Sequence, residues 1–96
     1  MPEVTKDVGA ENTFTDAIRV KDYFNLSISN TFVGTVTVQR SLDGTTWRDV
    51  DDFTAKIETY GFDPEPYFYR AGIKTGNYTS GTASLRIGDP DYRNLG

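Results

Sequence analysis

Two residue types that build most catalytic and metal sites are missing from this 96-residue chain, which contains neither cysteine nor histidine. Their absence excludes disulfides, thiolate metal ligands and thiol nucleophiles, and it removes the commonest general base. A mechanism based on serine and lysine or on carboxylates would still be open, with Lys21, Lys56 and Lys74 as candidates. Each of these lysines falls in a turn or on the outward face of a predicted strand. The sequence therefore predicts a protein that is not an enzyme and needs no cofactor.

Long apolar runs and an excess of basic residues are also absent. No apolar run approaches the about 20 residues of a membrane span, and the first six residues have no apolar signal core. Lys and Arg number 10 against 14 Asp and Glu, so the net charge is −4. Because an acidic domain repels phosphate backbones, we expect no nucleic-acid partner. We also expect no membrane partner, and folding in the cytoplasm.

Apolar residues make up 36% of the chain, which is low, whereas aromatic residues reach 14%. A chain of 96 residues forms one small domain with a modest core. That core should therefore combine a few large rings with Val, Ile and Leu.

Short stretches of alternating apolar and polar residues run through most of the chain. In the clearest one, Phe24, Leu26 and Ile28 alternate with polar residues, which is the period of a half-buried strand. Asp43-Gly44 predicts a tight turn, because glycine tolerates positive φ and aspartate bonds its own backbone. About seven such strands without helical periodicity predict an all-β fold, a single antiparallel β-sandwich. Its predicted core is Phe24, Leu26, Ile28, Val36, Val38, Trp47, Ile73, Leu85 and Ile87.

Three segments are predicted from the distribution of these strands: an N-terminal arm at 1–12, the β-sandwich domain at 13–88 and a C-terminal tail at 89–96. The arm and the tail are polar and lack strand periodicity, and we expect them to lie along a neighbouring subunit. Residues 61–66 are predicted to form a loop, since Pro64 and Pro66 each remove a backbone donor.

Aromatic residues crowd around this proline loop, namely Tyr60, Phe62, Tyr67 and Phe68. They can form a hydrophobic lid on one end of the sandwich, a contact patch for another protein, or a platform for sugar rings, and tyrosine and phenylalanine are enriched at interface cores. Arg70 points away from the inward tyrosines and is a further contact candidate. The tail contributes Tyr92.

Asp49, Asp51 and Asp52 form an acidic cluster at a strand end. Such a cluster can bind Ca²⁺, can supply the carboxylate pair of a glycosidase, or can simply keep the strand end solvated. The glycine-spaced pattern of a calcium loop is missing, and no second acidic cluster accompanies this one. The sequence therefore favours solvated carboxylates and predicts neither a metal site nor a catalytic pair.

The stretch 41–47, Ser-Leu-Asp-Gly-Thr-Thr-Trp, resembles the Asp-box hairpin of sialidases and other propeller proteins. That pattern reads Ser-any-Asp-any-Gly-any-Thr-Trp, and the present chain lacks one residue between Asp43 and Gly44 and has a single copy. The box is a structural hairpin, so the resemblance implies no enzymatic activity.

A second resemblance, to small virion proteins of tailed bacteriophages, covers residues 23–87. It is carried by short β-motifs at 24–29, 34–41, 43–47, 69–70 and 76–82. The resemblance implies an Ig-like or jelly-roll-like structural protein of the virion. The part of the virion that such a protein occupies is left open.

Within that class, the expected function is that of a head decoration (cement) protein, which binds across capsid subunits and stabilises the phage head. Its partners would be other virion proteins, above all the major capsid protein, and it would form a homo-oligomer such as a trimer. The alternatives are a head–tail component, or a tail accessory or fibre-anchoring component. A carbohydrate-binding β-sandwich module is an alternative of a different class.

Overall fold

The structure of the chain, a computed structural model, describes residues 3–88. Within that range strands are the only regular secondary structure, and no helix is long and apolar enough to cross a membrane. This confirms the predicted all-β class. The strands are β1 (Glu3–Val8), β2 (Thr13–Phe14), β3 (Ile18–Ser29), β4 (Phe32–Gly34), β5 (Val36–Ser41), β6 (Arg48–Phe53), β7 (Ile57–Ile73), β8 (Tyr78–Gly81) and β9 (Ala83–Gly88).

Seven strands form one antiparallel sheet in the order β1-β9-β3-β7-β5-β6, with β2 pairing to β7, and β4 and β8 form a second, two-stranded sheet. The long strands β3 and β7 connect two parts of the large sheet. The first half of β7 pairs with the second half of β3, which in turn pairs with β9. The second half of β7 pairs with β5, and its last two residues pair with β2. The apolar faces of both parts share one core, so the architecture is sandwich-like.

The core lies between these two parts. Ile28, Leu85 and Ile87 come from the β3–β9 part, and Val36, Val38 and Ile73 come from the β5–β7 part. All are buried, as the alternation of apolar and polar residues requires. Phe24 and Leu26 are buried with them, so eight of the nine residues predicted for the core lie in it. The exception is Trp47.

The predicted N-terminal arm is wrong for Glu3–Val8, which is a full edge strand. Every residue of β1 pairs with a residue of β9, from Glu3 opposite Gly88 to Val8 opposite Ala83. Val8 is fully buried, and Val4 packs against the core. Only these two apolar residues, separated by Lys6 on the same face, mark the strand in the sequence. The predicted tail at 89–96, with its contact candidate Tyr92, lies outside the described residues.

The predicted loop at 61–66 is also wrong, because these residues continue β7. The ladder with β3 passes from Asp22 opposite Asp63 directly to Val20 opposite Tyr67. Residues 64–66 therefore bulge out opposite a single residue of β3. Both prolines fall inside this bulge, where their missing N–H groups remove no ladder hydrogen bond. The bulge lets a strand with two prolines run through the middle of the sheet.

Candidate functional site

Trp47 does not belong to the core but stacks on Arg70 on the outer face of the β5–β7 part. The Arg70 guanidinium lies 4.3 Å from the Trp47 ring centroid and 4.4 Å from that of Phe14. Its Nε donates to Gln39 Oε1 at 2.9 Å. Burial between the rings lowers the pKa of Arg70. Arg70, predicted to contact a partner, thus contacts two rings and a glutamine of its own chain.

The turn at Asp43–Gly44 is present and is fixed by the Asp43 carboxylate. Asp43 Oδ1 accepts hydrogen bonds from Ser41 Oγ and from the backbone N–H groups of Thr45 and Thr46, each at 2.9 Å. Ser41 Oγ in turn accepts from the Gly44 N–H at 2.8 Å. Gly44 has a φ of +83°, which only glycine adopts without strain. This carboxylate network is structural, and it aims Trp47 back at Arg70.

We expect Asp43→Ala to lower stability at neutral pH and to weaken the acid sensitivity of the domain. The backbone donors of Thr46 and Thr45 hold the pKa of Asp43 far below its ordinary value of 3.8. A depressed folded-state pKa stabilises the fold above the unfolded pKa, and this contribution falls as the pH drops below it. Urea unfolding from about pH 6 to about pH 2 should therefore show the wild type and Asp43→Ala converging.

The matched control is Asp43→Asn, whose amide oxygen can still accept from the turn. It should lie between the wild type and Asp43→Ala at neutral pH, and its stability relative to Asp43→Ala should not change with pH. Parallel pH profiles for the wild type and Asp43→Ala would contradict the assigned role of the ionised carboxylate.

The three carboxylates at 49, 51 and 52 do not converge on one point. Asp49 accepts from Lys74 Nζ at 2.6 Å and from Gln39 Nε2 at 2.8 Å, and Asp52 accepts from Thr37 Oγ1 at 2.8 Å. Asp51 instead accepts from the backbone N–H of Asp52 and borders a cleft that opens into the core. In residues 3–88, no three acidic side chains gather closely enough to hold a metal ion.

Three aromatic side chains form an exposed cluster on the outer face of the β3–β7 part. Tyr23, Tyr60 and Phe62 are 55%, 68% and 54% exposed. Tyr23 and Phe62 are direct cross-strand partners with ring centroids 4.9 Å apart, and the centroid of Tyr60 lies 5.8 Å from that of Tyr23. We call these three residues the aromatic patch. It is the candidate functional site.

The sequence named Tyr60 and Phe62 but missed Tyr23, which is far away along the chain. The alternation of the strand could have identified it, because successive side chains point to opposite faces: if Phe24, Leu26 and Ile28 point inward, Tyr23 must point outward.

The other predicted contact residues of this region do not belong to the patch. Tyr67 and Phe68 are half-buried, and the guanidinium groups of Arg40 and Arg19 lie 4.6 Å and 5.8 Å from their respective ring centroids. The bulge at 64–66 separates these rings from the patch.

Sequence analysis also missed a buried carboxylate, Asp63, which is only 4% exposed. Its Oδ2 accepts from Arg40 Nη1 and from the Tyr69 hydroxyl, each at 3.0 Å. Its Oδ1 accepts from the Glu65 N–H at 3.3 Å. Burial, reinforced by the hydrogen bond to Asp63, raises the pKa of Tyr69. These hydrogen bonds connect β7 to Arg40 of β5 next to the bulge at 64–66.

A cleft of about 190 Å³ opens beside the aromatic patch, between β6 and the first half of β7. Phe24, Leu26 and Val38 belong to the core and form its floor. Its other lining residues are Val50, Asp51, Phe53, Thr59, Tyr60, Gly61, Phe62 and Tyr69. Tyr60 and Phe62 are thus common to the patch and the cleft.

Comparison of the chain with known protein families, with curated proteins and with solved structures finds no match. Function is therefore inferred from the surface described above and its chemistry, together with the resemblance of residues 23–87. That surface consists of rings on an antiparallel sheet and an apolar cleft at the sheet edge.

Proposed function

We propose that this protein is a non-enzymatic structural protein of a phage virion, most specifically a head decoration protein that binds across capsid subunits through its aromatic patch. The observation that carries the proposal is the exposure of three clustered rings on one sheet face. The resemblance of residues 23–87 to small virion proteins supplies the virion context. The head–tail and tail accessory alternatives would use the same surface.

Clustered exposure of this kind favours a protein partner. Single exposed apolar residues are ordinary on a soluble protein, whereas contiguous ones mark sites of interaction. Tyrosine and phenylalanine are enriched at the desolvated centres of protein interfaces, where they supply large areas with few rotatable bonds. Covering the patch therefore removes apolar ring surface from water while the Tyr23 and Tyr60 hydroxyls stay available for hydrogen bonds at the rim.

The tilt of the rings favours a protein surface over a carbohydrate. The plane of Tyr23 makes angles of 58° with that of Tyr60 and 53° with that of Phe62. Rings inclined in this way present pockets and edges that side chains fill, whereas successive sugar rings stack best on a coplanar row. A carbohydrate-binding module is therefore the second candidate, and a glycan array can test it directly.

Many weak contacts suffice for such a function. A shell presents its binding site in many copies, and closure of the decoration protein into a homo-oligomer such as a trimer would let several patches engage together. Since only protein in the folded and assembled state is bound, attachment stabilises the shell by mass action.

We expect Tyr60→Thr and Phe62→Thr to weaken binding to particles by at least roughly thirtyfold each, the loss typical of a central aromatic contact. Threonine keeps the β-propensity of the strand, and both side chains are exposed, so the fold should remain intact. The assay is co-sedimentation of the purified protein with particles that lack it.

The matched control is Val33→Thr, which removes an exposed apolar side chain from β4, outside the patch. It should bind like the wild type. Equal binding by the patch variants and the control would refute the patch as the contact surface. Binding to a glycan array that is lost in Tyr60→Thr, without binding to particles, would favour the carbohydrate module.

A further inference from the structure

We propose that the cleft beside the aromatic patch receives an extended, basic segment of the partner protein, which pairs with a free strand edge and inserts one large apolar side chain. This inference rests on the proposed function, because it names the element of the protein partner that the patch receives. It is drawn from separate observations, namely two strand edges that pair with no other strand among residues 3–88, an apolar cleft between them, and the carboxylate of Asp51, which has no salt-bridge partner in the same range.

Both strands that border the cleft have a free edge. In the described part of the chain, β6 pairs with β5 alone, and the first half of β7 pairs with β3 alone. Each therefore carries a row of backbone donors and acceptors that has no ladder partner among the described residues. An extended peptide satisfies such a row by adding a strand, and its alternate side chains point into whatever lies between the layers.

The cleft has the size and lining for one such side chain. Its volume of about 190 Å³ exceeds that of an engineered apolar cavity of about 150 Å³ that binds benzene. Gly61 helps to form it, since the Phe24 ring lies against the Gly61 backbone where a Cβ atom would be only 2.5 Å from its Cζ. Val50, half-exposed at the cleft, supplies an apolar rim. A phenylalanine or leucine side chain entering here would be desolvated on several sides.

Charge decides which kind of segment fits. Asp49 of β6 is bound to Lys74 and Asp52 to Thr37, whereas Asp51 borders the cleft and forms no salt bridge among the described residues. Lysine or arginine on the incoming strand would complement the carboxylate of Asp51. A second copy of β6 would not, since each antiparallel register centred near Val50 or Asp51 sets an aspartate opposite an aspartate. The acidic edge therefore discourages self-pairing and selects a basic partner.

The test uses a blocked nine-residue peptide in which lysine alternates with valine around a central phenylalanine. Added to the full-length ¹⁵N-labelled protein, it should shift amide signals in β6 and in the first half of β7. An analogue with glutamate in place of lysine should bind at least about tenfold more weakly, because like charges then face each other. Failure of the basic peptide to shift these signals at millimolar concentration, or equal binding of both peptides, would overturn the proposal.

Two substitutions locate the binding. Thr59→Phe places a ring in the cleft from a residue that lines it, and should abolish peptide binding while the fold is kept. Its control is Thr79→Phe on the exposed strand β8. Asp51→Asn should weaken binding about threefold, as expected for one exposed ion pair, whereas Asp7→Asn on the opposite edge strand should have no effect. Undiminished binding to Thr59→Phe would place the peptide elsewhere and overturn the cleft as its site.

Tyr23→Thr distinguishes this inference from the proposed function, because Tyr23 belongs to the patch but does not line the cleft. That variant should bind the peptide normally and bind particles weakly. If particles bind Thr59→Phe as well as the wild type but reject Tyr23→Thr, the patch stands and the inserted segment is wrong. If the peptide binds as predicted but particles bind both variants as tightly as the wild type, the cleft is a peptide site and the proposed function is wrong.

Discussion

Deletion of residues 1–8 is expected to destabilise the whole domain strongly rather than to detach an appendage. The deletion removes the whole of β1, exposes the edge of β9, and takes Val4 and Val8 away from the core. Burial of one valine contributes about 1.5–3 kcal/mol. Full burial of Val8, partial burial of Val4 and the pairing of six residues are therefore worth about 3–5 kcal/mol, against a total of about 5–15 kcal/mol for a domain.

The measurement is urea unfolding followed by circular dichroism, with removal of residues 1–2 alone as the control for shortening the chain. Point variants separate core packing from strand pairing. Val8→Ala should destabilise strongly because its site is fully buried, whereas Thr5→Ala, on the exposed face of the same strand, should change little. A truncated protein as stable as the full chain would show that β1 is a detachable arm after all.

Asp63→Ala is expected to cost about 2–3 kcal/mol, mainly because it leaves the buried Tyr69 hydroxyl without its acceptor. Arg40 adds less to this cost, since its side chain is 43% exposed and water can replace the lost carboxylate. Asp63→Asn keeps an acceptor and should cost less. The measurement is urea unfolding of both variants and of Tyr69→Phe.

A double-mutant cycle identifies the hydrogen bond itself. Tyr69→Phe combined with Asp63→Ala should cost less than the sum of the two single changes, because each removes the same contact. Strict additivity would contradict a direct interaction between the two side chains. Stability should also fall at high pH: the raised folded-state pKa of Tyr69 favours the fold below the unfolded value, and this contribution is lost as the pH rises through the folded-state pKa.

The parts of the fold that followed from the sequence are those in which local chemistry decides the outcome. Phe24, Leu26 and Ile28 are all buried, because parity along a strand is a geometric rule that needs no knowledge of its neighbours. Asp43 and Gly44 form their turn because the carboxylate and the positive φ act within four residues.

The predictions that failed needed information about register. Pro64 and Pro66 are normally incompatible with an inner strand, and only the pairing of β7 with β3 shows that both lie in a bulge. β1 carries two apolar residues, too few to distinguish an edge strand from a polar arm until β9 is seen to accept it. Trp47 has the most apolar surface of any side chain, yet the hairpin directs it to the outer face, where Arg70 provides a partner.

The candidate site could be predicted only in part, because its members come from different strands whose pairing the sequence does not show. Tyr60 and Phe62 were evident as a concentration of aromatic residues around the prolines. The alternation along β3 places Tyr23 on the outer face, and this would have added Tyr23 to the site. The cleft and the buried Asp63 could not be found, because both arise where the two parts of the sheet face each other or bend. The acidic residues of β6 were visible in the sequence, but their separation onto different faces was not.

The proposed function is tested most directly by quantitative mass spectrometry of purified tailed-phage virions with isotope-labelled peptides, which determines whether this protein is present in them and in how many copies. A head decoration protein should be present in a fixed ratio to the major capsid protein, as one of the abundant proteins of the particle. A few copies per particle would instead assign it to the head–tail or tail components. Absence from the virion would contradict the account.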